Sequence, residues 1–137
     1  MGLDLPLKPT RTPIIPKNTL KGSATSGSPV TITLPAIPAY GRYLAVVTGW
    51  HGNNGDRAYA WYFVDYYKAA TSSAVGVAQQ FGTTTVTPGQ QVSAIALSAP
   101  NSSGVMTVTI TSSRGNAQGN ATVELIELSG LVAQTQV

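Results

Sequence analysis

From residue 29 onward the sequence is built from short stretches in which β-branched, aliphatic and aromatic residues recur at every second position, separated by clusters of Gly, Pro, Asn and Ser. A period of two places one set of side chains on each face of a strand, so the pattern restricts the chain to sheet structure with one buried and one outer face. PVTITL sets Val30, Ile32 and Leu34 against Thr31 and Thr33; VMTVTITS sets Met106, Val108 and Ile110 against Thr107, Thr109 and Thr111. No stretch carries a helical period. The alternation predicts eight strands, over residues 29–34, 42–50, 57–67, 73–80, 82–87, 91–98, 105–112 and 121–128. The breaks between them, among them PAIPAYG, HGNNGD, APNSSG and SRGNAQGN, are rich in residues that suit turns. Such a run of strands predicts an all-β fold, an eight-stranded antiparallel β-sandwich of jelly-roll type. At 137 residues, one such domain accounts for the body of the chain.

The first 22 residues obey a different logic. Pro6, Pro9, Pro13 and Pro16 forbid a regular helix and favour extended or polyproline-like backbone. Yet Leu3, Leu5, Leu7, Ile14, Ile15 and Leu20 are too apolar for a segment meant only to stay dissolved. The expectation is an extended arm over residues 1–22 whose apolar side chains are buried against a partner, with a reach of about 65 Å. Residues 23–130 then form the sandwich and 131–137 a C-terminal tail. Charge follows the same division: Lys8, Arg11, Lys17 and Lys21 against Asp4 carry the whole net charge of +3, and the acidic and basic residues of the remainder cancel. The basic element is the arm, and a body with a clustered basic face for specific nucleic-acid binding is not indicated.

Composition narrows the function. Only 9% of the residues are charged, against about 25% in an ordinary soluble domain. Monomeric sheet proteins use Lys and Glu to discourage edge-to-edge pairing, and here the strands carry Thr, Ser, Gln and Ala instead. Burial of those faces in a symmetric homo-oligomer, with a trimer favoured, is the expectation. No apolar run approaches a membrane span, a secretory signal is not apparent, and Pro6 stands where a myristoylation signal needs Ser or Thr, so a membrane partner is not expected.

Catalytic constellations fail on inventory. There is no Cys and one His, the five carboxylates are scattered, and neither a nucleophile elbow nor a phosphate-binding glycine loop occurs. No catalytic residue, metal site or cofactor is assigned. The polar loop Trp50-His51-Gly52-Asn53-Asn54-Gly55-Asp56-Arg57 holds one imidazole and one carboxylate, which fits neither a calcium loop nor a zinc pair and reads as a hairpin turn. RAYAWYFVDYYK is the most aromatic stretch, with Tyr59, Trp61, Phe63 and Tyr67 on one face and Tyr62 and Tyr66 on the other. One set is expected to fill the core and the other to line a subunit contact or a sugar-stacking platform; Trp50, Tyr59, Trp61, Tyr62 and Tyr66 are the candidate interface or ligand aromatics. Asp65, on the Trp61 and Phe63 face, is expected to need Arg57 or Lys68 as a partner. Asn101-Ser102-Ser103 and Asn120-Ala121-Thr122 match the glycosylation sequon.

A proline-rich arm joined to a low-charge sandwich that opens with SGSPVTITLP and closes with ATVELIELSG resembles a small structural protein of a tailed bacteriophage. The body, about residues 23–130, is similar to the jelly-roll modules of head decoration (cement) proteins and to the compact heads of fibres. The resemblance implies a noncatalytic protein at the virion surface. Its arm, with Leu3, Leu5, Leu7, Lys8, Arg11, Ile14, Ile15, Lys17 and Lys21, would grip other virion proteins, the major capsid protein before tail or portal proteins. A tail or head fibre module that binds a receptor or glycan is the second reading, and a small secreted lectin-like domain or hydrolase fragment the third.

Overall fold

A computed structural model of the chain describes residues 17–25, 29–52, 56–68, 74–86, 92–113 and 118–128. These residues form eight strands: β1 (Lys17–Ala24), β2 (Val30–Thr33), β3 (Gly41–His51), β4 (Asp56–Lys68), β5 (Ala74–Val86), β6 (Val92–Leu97), β7 (Thr107–Ser112) and β8 (Gly119–Glu127). They make two antiparallel sheets, a five-stranded one in the order β1-β8-β3-β4-β5 and a three-stranded one in the order β2-β7-β6. The all-β sandwich is therefore the fold. β1 pairs with β8 and β2 with β7, but β3 pairs with β4 rather than with β6, so β3, β4 and β5 continue as a meander within one sheet and the nested pairing expected of a jelly roll stops after two pairs.

The period-two pattern fixes which side chains meet between the sheets. The five-stranded sheet turns Tyr43, Ala45 and Val47 of β3, Ala58, Ala60, Tyr62 and Val64 of β4, and Ala121, Val123 and Leu125 of β8 inward. The three-stranded sheet answers with Val30, Ile32, Val108, Ile110, Ile95 and Leu97. Small residues at the centre of one sheet thus receive large aliphatic ones from the other, which is how two pleated layers interdigitate. A Cβ added at Gly49 of β3 would meet the Ile95 Cδ1 at 2.6 Å and the Ile110 Cδ1 at 3.0 Å, so glycine there sets the closest approach of the layers.

Two strand assignments differ from the sequence reading. Residues 17–22, expected in the arm, belong to β1, which pairs residue for residue with β8 from Lys17 opposite Ile126 to Ala24 opposite Gly119, and Leu20 is buried in the core. The signal is weak because Leu20 is the one large inward side chain of β1: Ile32 and the Thr33 carbonyl crowd the space where a Cβ would stand at Gly22, so that inward position stays small. Conversely, residues 73–80 and 82–87, read as two strands, form the single strand β5. Gly82, at φ 74°, sits in a bulge at which Tyr59 opposes Thr85 and Trp61 opposes Phe81, and the Gln80 Nε2 donates to the Thr84 Oγ1 across it at 3.2 Å. The break expected between the two stretches, at Phe81, is a bulge within one long edge strand.

Candidate functional site

The residues that distinguish this sandwich lie on the outer face of the five-stranded sheet. Antiparallel register stacks them in rows: Val77, Asp65 and Arg42; Gln79, Phe63, Leu44 and Ile126; Phe81, Trp61, Val46 and Glu124; Thr85, Tyr59, Thr48 and Thr122. Trp61 is 45% exposed and Phe81 47%, and Tyr59, Tyr67, Val75 and Val77 are exposed beside them. Leu44, Val46 and Phe63 are half-buried by their neighbours and complete a continuous apolar surface across β5, β4 and β3. Charges stand at its borders. Arg42 and Asp65 oppose one another at one end and Arg57 opposes Trp50 at the other. The cross-strand neighbour of Asp65 is thus Arg42; the sequence expectation of Arg57 or Lys68 fails because Arg57 lies at the far end of β4 and Lys68, by parity, on its other face.

The structure sorts the candidate aromatics by parity. Tyr59 and Trp61 face outward and are exposed, and Trp50 is half-buried at the far end of the same face, opposite Arg57 on one side and Asn120 on the other. Tyr62 and Tyr66 are buried between the sheets and are not available to a partner, which corrects their place among the interface candidates. Their hydroxyls instead tie the layers together. The Leu97 N–H of β6 donates to the Tyr62 hydroxyl at 3.1 Å, which in turn donates to the Gln80 Oε1 at 3.4 Å; the Tyr66 hydroxyl donates to the Ser102 carbonyl at 3.3 Å. Tyr43 donates to the Ala39 carbonyl at 2.7 Å, and burial, with Glu127 nearby, raises its pKa above the ordinary tyrosine value. The expectation that both faces of β4 are covered holds within the chain for the inner face alone.

The polar loop after β3 divides. Trp50 points outward, while His51 is fully buried at the inner end of β3. Residues 53–55 lie outside the described residues, and among the described residues no three His, Cys, Asp or Glu side chains gather as a metal site would require. Asn101 is part of a built turn: its Oδ1 accepts from the Ser103 N–H at 2.9 Å and the Val105 N–H at 3.0 Å, and its own N–H donates to the Val105 carbonyl at 3.0 Å. That turn gives the Asn101 side chain a structural role in the loop before β7. Of the arm candidates, Lys17 and Lys21 fall on the edge strand β1, whereas Leu3, Leu5, Leu7, Lys8, Arg11, Ile14 and Ile15 lie outside the described residues.

The opposite outer face has another character. On the three-stranded sheet Thr31 opposes Thr109 and Thr33 opposes Thr107, with Ala94 and Ala96 on the third strand, and the Oγ1 atoms of Thr31 and Thr109 are 3.5 Å apart. The sequence shows the hydroxyl-rich face and the aromatic set of β4, but not Phe81 beside Trp61, because that residue falls between two expected strands that form the single strand β5. No known family model matches this chain, and no curated protein matches it.

Proposed function

We propose that this chain is a noncatalytic structural protein of a tailed-phage particle, a sandwich that assembles with copies of itself and is joined to neighbouring virion subunits, the major capsid protein foremost, by its N-terminal arm. The observation that carries the reading is the outer face of the five-stranded sheet. A soluble monomer rarely leaves so large an aromatic and aliphatic surface open, and surfaces of this kind mark contacts between proteins. Around Trp61 the neighbours are Val46, Phe63 and Phe81, which suit a protein partner better than the polar rim a sugar needs. Incorporation into particles tests the role: protein lacking residues 1–16 should be folded and absent from particles, and full occupancy by the truncated chain would overturn it.

A fibre module that binds a glycan is the second reading. It is favoured by one feature, the exposed Trp61 and Phe81 rings side by side, since sugars stack on aromatic faces. Glycan-array binding that vanishes in Trp61→Ala would select this reading over assembly.

A further inference from the structure

The arm and the aromatic face are chemically matched. Within the arm, Pro6-Leu7-Lys8-Pro9 and Pro13-Ile14-Ile15-Pro16 each place two prolines three residues apart, the spacing that returns both rings to one side of a polyproline helix. Aromatic surfaces are the established receptors of such segments, because the rings stack on proline and the preformed helix loses little entropy on binding. The outer face presents Tyr59, Trp61, Phe63, Tyr67 and Phe81 on adjacent strands.

Area and direction choose the occupant. The six most exposed side chains of the face alone leave on the order of 500 Å² uncovered, an area that an extended peptide can cover. The arm enters β1 at Lys17, on the edge of the sheet opposite β5. By sequence, the steps Leu5-Pro6, Lys8-Pro9, Thr12-Pro13 and Ile15-Pro16 favour non-helical, extended backbone, which suits an arm that runs on to a neighbour. Sixteen residues of polyproline span about 50 Å, enough to cross a neighbour whose five strands are about 20 Å wide.

We infer that residues 1–16 of one copy dock as a polyproline segment on the aromatic outer face of the next copy, so that copies are joined head to tail by their arms. The inference rests on the proposed structural role, in which the arm joins neighbouring subunits, and names another copy of this chain as one of them. A head-to-tail contact closes into a ring when its rotation permits.

Because the chain has no Cys, single cysteines report the contact without background. Full-length Thr12→Cys and Gln79→Cys chains, mixed and mildly oxidised, should give a disulfide-linked heterodimer, and the double variant should give interchain oligomers. Adding Trp61→Ala, or independently Phe81→Ser, to the Gln79→Cys chain should lower the heterodimer yield by about tenfold with an unchanged circular dichroism spectrum. Closure of the double variant within single chains at every concentration would assign the arm to its own sheet and overturn the inference. So would a yield indifferent to both aromatic substitutions, or cross-linking of Thr12→Cys only to itself. Cross-linking is read on purified protein, so its failure is distinguishable from failure of the virion role, which shows as absence from particles.

Discussion

Trp61 on β4 and Phe81 on β5 stand directly opposite each other on the outer face, ring centroids 6.2 Å apart and planes tilted by 40°, each close to half exposed. A cross-strand aromatic pair contributes about 0.2–1 kcal/mol to a sheet, which is small beside what the same rings gain when covered by a partner. Trp61→Ser should therefore change the folding free energy by less than about 1 kcal/mol while weakening self-association at least about tenfold. Thermal unfolding and sedimentation of the full-length variant measure the two effects separately; a large loss of stability with unaltered association would assign the pair to folding instead.

How far the sequence announces this arrangement depends on how a strand advertises itself. β3 and β7 are legible because their inward positions, up to His51 and Ser112 at the strand ends, are filled by apolar side chains or, in β3, by glycine, at Gly49 the one that two isoleucines require. β1 is not, since its inward residues shrink to Gly22 and Ala24 where Ile32 of the facing sheet intrudes, and alternation of size vanishes with them. In β6 a register shift between Val92 and Ala94 turns Val92 and Ile95 inward although they are three residues apart. Both faces of β4 carry aromatic rings, Tyr62 and Tyr66 inward and Tyr59, Trp61, Phe63 and Tyr67 outward, so the sequence shows two faces but not which is the core. That choice belongs to the small residues: Ala58 and Ala60 share a face with Tyr62, and only that face fits against Ile95 and Ile110.

The Tyr62 hydroxyl is a polar link between sheets, because it accepts from the Leu97 N–H within the core. Tyr62→Phe keeps the ring and removes the acceptor, leaving a buried donor unsatisfied at about 1–3 kcal/mol. Chemical denaturation should show that loss with an unchanged m-value, whereas Tyr67→Phe, on an exposed ring, should be neutral.

Gly49 sets the spacing of the layers. Gly49→Ala places a methyl between Ile95 and Ile110, whose side chains would have to shift, and overpacking of this kind costs about 1–3 kcal/mol. The double variant Gly49→Ala with Ile95→Val gives back part of the room, so its unfolding midpoint should lie above that of Gly49→Ala alone. Additive destabilisation would show that the glycine serves something other than this contact.

Alkaline pH should weaken the fold through Tyr43. Burial first, and Glu127 second, raise its pKa above the ordinary 10.0. The folded chain therefore holds the proton more tightly than the unfolded one, the associated stability is fully present below pH 10, and it is lost as the pH rises from the ordinary value through the raised one. Denaturant midpoints measured from pH 8 to 11 should fall less steeply above pH 10 for Tyr43→Phe than for the parent chain, and that variant should start lower because the bond to the Ala39 carbonyl is gone.

Truncation at two points separates the arm from the fold. Removing residues 1–16 leaves β1 whole, with Lys17–Ala24 still paired along β8 and Leu20 in place, so the sandwich should unfold at nearly the parental midpoint. Removing residues 1–22 takes away most of that strand. Loss of the buried Leu20 side chain alone is worth about 2–5 kcal/mol, and the inner surface of β8 and the open edge it leaves would be exposed as well. The longer truncation should therefore melt many degrees lower and aggregate, although its sequence boundary is where the prolines, the Gly/Ser stretch and the basic residues alone would have placed the end of the arm. If both truncations melted alike, β1 would contribute nothing to the sandwich and the arm would extend to residue 22 after all; a gap of several degrees places the junction at Pro16.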